Sequence, residues 1–219
     1  MAMNRDGSGA RFGALGGIVV LVALTFAALF RFGRLGPLDF WWGMGLNVVL
    51  AAGLGLAADR GYAARLSADV RTGSARKTAW GLASAVLLYG VFAAGRLAAL
   101  KLFPFAGSGI AQVYGLKAGV PVLRIALLLG LVIGPGEELV WRGFLQENLA
   151  RKLGRGWGFA LTALAYMLVH VASGNVTLVL AAAVCGVFWG LAYLAFRSPV
   201  LNIISHAVWD VLIFVVRPL

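Results

Sequence analysis

Seven runs of this chain are apolar over about the 20 residues that a helix needs to cross the hydrocarbon core of a bilayer. They are Phe12–Phe30, Leu38–Ala58, Ala79–Leu100, Pro121–Phe144, Gly156–Val171, Val176–Phe196 and Pro199–Val216. In lipid every backbone N–H and C=O must be bonded within the protein, and only helices do that one segment at a time. The expected fold is therefore an all-α polytopic membrane protein of about seven transmembrane helices. Composition agrees: 61% of the 219 residues are hydrophobic and 12% charged, against roughly 45–50% and about 25% in soluble domains. Disorder needs low hydrophobicity and high charge and is excluded. The single cysteine, Cys185, excludes an intramolecular disulfide. The 30 glycines suit close helix packing in lipid. Arg5 and Arg11 precede the first run as they would in a signal peptide. That run exceeds the usual length of about 7–15 residues, and no small-residue cleavage site follows it.

The net charge of +11 is topological. No basic run is interleaved with stacking aromatics, so nucleic acid is not an expected partner. Arg5, Arg11, Arg60, Arg65, Arg71, Arg76, Lys77, Arg151, Lys152, Arg155 and Arg197 fall on one side of the seven runs. Arg31, Arg34, Lys101, Lys117 and Arg217 fall on the other. The positive-inside rule places the N-terminus in the cytoplasm. Residues 1–120 are expected to form an N-terminal membrane region of three spans, with a cytoplasmic linker at 59–78 that lies along the interface. Residues 121–219 are expected to form a four-helix core.

The informative residues are those a bilayer penalises. Glu137, Glu138, Arg142, His170, His206 and Asp210 fall within the last four runs, where each charge costs about 2.5–3.5 kcal/mol on insertion scales. Glu138 and Arg142 are four apart and can pair along one helix face, which leaves Glu137, rotated by about 100°, available. Gly134, Pro135 and Gly136 are expected to loosen the helix just before these acids. Taken alone, this run also reads as a charged helix end at the interface. Asn202, His206 and Asp210 form a polar stripe on an otherwise apolar helix.

A hairpin between the fourth and fifth spans that turns at Gly154 sets Glu137 level with His170. Glu137 is then about 24 Å of helix from the tip, and His206 about 13 Å into its own span. The two depths agree if the stretch Gln146–Arg155 projects ~10 Å into the cytoplasm, as its polar composition suggests.

Glu137-Glu138-x-x-x-Arg142, Tyr166-x-x-x-His170 and His206-x-x-x-Asp210, in this order, resemble the three motifs of the type II CAAX prenyl endopeptidase and bacteriocin-processing family. These are also called CPBP or Abi intramembrane proteases. The resemblance covers roughly residues 121–216. It departs from the family at Tyr166, where Phe is usual, and at Asp210, where Asn is common. It implies a four-helix catalytic core at 121–219 that cleaves C-terminal or juxtamembrane segments of protein or peptide substrates met among membrane lipids, with or without a lipid modification. It also implies a glutamate mechanism, in which Glu137 and His170 activate water, His206 and position 210 stabilise the oxyanion, and Glu138–Arg142 is a structural pair. Asp210 would either carry a proton and donate to the oxyanion or orient His206. In the competing mechanism Glu137, His170 and His206 bind zinc and no other cofactor is needed; HExxH is absent, so metal-free chemistry is favoured. The Ala-, Gly- and Arg-rich composition suggests a bacterial cytoplasmic membrane. An ion-coupled transporter would also keep intramembrane acids and histidines, but no inverted repeat is visible. A non-catalytic scaffold or immunity partner of the same family has no reason to keep costly charges.

Overall fold

The computed structural model describes residues 6–219, so Arg5 of the charge count lies outside the described residues. Helix α1 (Asp6–Phe32) leads through the short antiparallel strands β1 (Arg34–Leu35) and β2 (Leu38–Asp39) into α2 (Phe40–Ala58). Asp39 stops the hairpin and starts α2, because its carboxylate accepts from the Trp41 and Trp42 N–H groups that no helical carbonyl reaches. The expected linker holds α3 (Tyr62–Arg71) and the first turn of α4 (Ser74–Leu102), which α5 (Ala106–Gly115) follows.

The fourth expected span is one helical run over 122–153, interrupted twice. It comprises α6 (Val122–Leu128), a π segment Leu129–Ile133, α7 (Gly134–Glu138), a second π segment Leu139–Gln146 and α8 (Glu147–Leu153). Gly154, at φ +90°, turns the chain into α9 (Arg155–Val169). A short 3-10 turn His170–Ser173, α10 (Val176–Phe196) and α11 (Pro199–Val211) complete the bundle.

The protein is an all-α polytopic membrane protein. Among the described residues six helices are long and apolar enough to cross a bilayer: α1, α2, α4, α9 running into its 3-10 turn, α10, and α11 with the π segment after it. The run 122–153 differs because it carries Arg124, Glu137, Glu138 and Arg142 and turns most of its side chains inward. It is the central element, packed by α2, α9 and α11, while Leu24, Leu97 and Trp157 sit more than half exposed on the outside. Continuous exposed apolar surface of this kind is what lipid covers.

The expected loosening of the helix before the acids lies beside the glycines and not at them. Gly134–Glu138 is regular α-helix, and the loosening lies on either side, in π turns. Pro135 has no N–H to give the ladder, and the Gly134 N–H bonds Leu129 O five residues back. The glycines serve contact instead. A Cβ on Gly136 would lie 2.7 Å from Val48 Cγ2 of α2, and one on Gly134 would lie 3.2 Å from Asp210 Oδ2 of α11. The second π segment is held from outside, where the buried Tyr62 hydroxyl of α3 donates to Leu139 O at 2.7 Å.

The stretch Gln146–Arg155 also departs from expectation. Gln146 and Glu147 are buried: Gln146 donates to Gly190 O, and Glu147 accepts from the Tyr193 hydroxyl and pairs with Arg197. Asp59, at the end of α2, gathers Arg65, Arg151 and Asn148. Burial pushes the Asp59 carboxyl up, but the bonds and charges of Arg65 and Arg151 outweigh it and hold it well below the usual carboxylate range. A depressed folded-state value stabilises the fold above the unfolded value of about 3.9, and this contribution is lost as pH falls towards the folded value. In detergent, wild-type thermal stability should fall on acidification below about pH 4, and Asp59→Asn should flatten that part of the profile. An unchanged profile in the variant would show that Asp59 is not the responsible group.

Candidate active site

Adjacent on regular helix, Glu137 and Glu138 are rotated by about 100° to different partners, and each acid is almost fully buried, at 5% and 0% exposure. Glu138 faces α10 and α11. Its Oε1 pairs with Arg142 Nη1 at 2.9 Å and accepts from His206 Nδ1 at 2.8 Å, and its Oε2 accepts from Asn202 Nδ2 at 3.1 Å. Glu137 faces α9, where the Tyr166 hydroxyl donates to its Oε2 at 2.7 Å. No described residue donates a hydrogen bond to its other oxygen.

His170 stands where α9 tightens into the 3-10 turn, and its Nδ1 lies 2.7 Å from Tyr166 O. A carbonyl only accepts, so Nδ1 carries the hydrogen and Nε2 keeps the lone pair of a base. Tyr166 thus holds Glu137 with its side chain and His170 with its backbone. The Phe26 ring of α1 meets the His170 ring edge-on at 5.1 Å.

His206 Nδ1 also carries a hydrogen, because it faces an acceptor-only carboxylate. Trp189 of α10 stacks on it at 3.6 Å between centroids and donates to Ser205 Oγ. Asp210 Oδ2 lies 3.6 Å from His206 Nε2, too far for a hydrogen bond. Glu138, not Asp210, therefore holds His206. The polar stripe on α11 also divides: Asn202 donates to Glu138 and to Trp189 O, while Asp210 lies against the Cβ-less surface of Gly134.

The pair Glu138–Arg142 is wider than its i,i+4 spacing implied. Arg142 Nη2 also donates to Cys185 O and Gly186 O of α10, and the guanidinium lies 4.9 Å from the centre of the Tyr166 ring. The roles of Trp189, Ser205 and the α10 carbonyls were invisible in the sequence, where they are ordinary residues of an apolar span. Tyr166 was visible only as a motif position, and its hydroxyl bond was not.

Residues 119–212 match the family model described as type II CAAX prenyl endopeptidase Rce1-like. That segment is a domain of this family. No curated protein and no solved structure matches the chain. The Rce1-like segment contains Glu137, Glu138, Arg142, Tyr166, His170, Trp189, His206 and Asp210, whereas Phe26 and Tyr62 reach it from the preceding helices. The family is one of proteases with membrane-protein substrates, and the exposed apolar helices give it a multi-pass membrane setting.

Among the described residues no group of three or more His, Cys, Asp and Glu side chains is arranged to hold a metal ion. Nδ1 of each histidine and Oε2 of Glu137 are bonded within the protein, so Nε2 of the histidines and the second Glu137 oxygen are the atoms a metal would use.

Proposed function

We propose that the protein is a glutamate-type intramembrane endopeptidase that cleaves C-terminal or juxtamembrane segments of membrane-associated proteins in a bacterial cytoplasmic membrane, with its N-terminus in the cytoplasm. The observation that carries this reading is the double hold of Tyr166 on Glu137 and His170, with one oxygen of Glu137 and Nε2 of His170 left without a protein hydrogen bond. A water between them loses a proton to Glu137 as its oxygen attacks the scissile carbonyl carbon. The C–N bond then breaks, and Glu137 returns the proton to the departing amine. His206, held by Glu138 through Nδ1–H and stacked on Trp189, stabilises the oxyanion through Nε2–H in its doubly protonated form, together with position 210.

Membrane-protein C-termini should differ between cells that make the wild type and cells that make Glu137→Gln. Identical termini would remove the support for proteolysis and favour a scaffold. Asp210→Asn separates the two roles of that residue. Because His206 is already oriented by Glu138, an amide that donates to the oxyanion should retain activity within about tenfold or improve it. A fall beyond ~100-fold in the rate of tail cleavage would mean that the Asp210 carboxyl itself is required.

A further inference from the structure

Asn47 of α2 is 2% exposed, and neither its Nδ2 nor its Oδ1 has a hydrogen-bond partner among the described residues. A buried amide left unbonded destabilises a fold, more so in lipid than in water, so its environment bears on its use. Two contacts locate it. Gly43, one turn before Asn47, packs against Leu29 of α1. Val48, the next residue, packs on Gly136 of α7, and Asn47 is rotated about 100° from it. Asn47 therefore looks into the crevice between α1 and α7. Depth follows from the same contacts. Moving four residues from Gly43 to Asn47 on α2 corresponds to moving from Leu29 to Thr25 on antiparallel α1, one residue from Phe26, the ring against His170. On the other wall, the level of Gly136 is the level of Glu137.

We infer that Asn47 is a substrate-binding residue, the group that bonds the main chain of the peptide as it lies across Glu137 and His170; this rests on the proteolytic reading above. A primary amide offers one donor and one acceptor side by side, the complement of the C=O and N–H of an extended peptide. The closed state of the site is consistent with this. Glu137 and His170 are themselves only 5% and 8% exposed. Helix α1 covers His170 through Phe26 and covers the neighbourhood of Asn47 through Leu29, so one displacement of α1 uncovers both. Asn47 lies outside the segment 119–212, and the N-terminal helices would thereby contribute to recognition.

The test uses the full-length protein and a fluorogenic peptide copied from a C-terminus that changes in the cellular comparison. Asn47→Leu, an apolar side chain of similar size, should raise the apparent melting temperature of the substrate-free protein, since it removes an unbonded polar group. It should also raise KM about tenfold with kcat little changed, the mark of lost binding. Asn47→Ala should raise KM in the same way. A lowered melting temperature in Asn47→Leu, or an unchanged KM in both variants of an active enzyme, would overturn the inference alone. A wild type inert towards every such peptide would remove the proteolytic reading and this inference with it.

Discussion

Glu137→Gln should reduce cleavage to background, a loss of at least about 10²–10⁴, with no loss of folded protein. The two side chains have the same shape, and the amide oxygen of Gln still accepts from the Tyr166 hydroxyl that now meets Glu137 Oε2. What disappears is the charge and the ability to take a proton from water. His170→Ala should be as severe, since it removes the lone pair at Nε2 that the Tyr166 carbonyl keeps available. Purified variants that elute and melt like wild type but still cleave would place the base elsewhere.

Glu138→Ala should act on a different property. Glu138 is fully buried and bonded to Arg142, His206 and Asn202. Its removal strands a guanidinium that is itself 0% exposed, and breaking a buried pair in this way costs about 3–5 kcal/mol. That is a large share of the 5–15 kcal/mol or so that holds a typical domain together. The folded yield from membranes should collapse. Glu138→Gln should recover part of it, because its oxygen still accepts from His206 or Arg142. Glu138→Ala expressed at wild-type yield, with only its activity lost, would make Glu138 a chemical group and not a structural one.

The contrast between these neighbouring acids was only half legible in the sequence. The spacing of Glu138 and Arg142 announced their pair, and rotation by about 100° per residue announced that Glu137 faces elsewhere. What Glu137 faces was not legible. The hydroxyl of Tyr166 lies 29 residues away in sequence, and the residue type alone does not say where that hydroxyl points. Nor was it legible that His206 is held by Glu138. The i,i+4 spacing of His206 and Asp210 suggested a local bond, but the structure opens that distance to 3.6 Å and supplies a carboxylate from another helix at 2.8 Å.

The sequence by itself determined that the chain is a helical bundle in a bilayer, because long apolar runs leave the backbone no other way to satisfy its polar groups. It also singled out the groups that are costly in lipid, which are costly wherever the helices go. Only the tertiary structure decided how those groups are shared. Gly134 and Gly136 suggest a loosened helix in sequence and are contact surfaces in the fold, since what a missing Cβ allows depends on the helix that approaches it. Gln146 and Glu147 count in sequence only as polar composition of a projecting stretch, and they are buried because Gly190, Tyr193 and Arg197 supply partners that no local pattern encodes. Periodicity reports which side of a helix is apolar. It does not report which polar group waits on the neighbouring helix, and in lipid that partner decides the role of every charge.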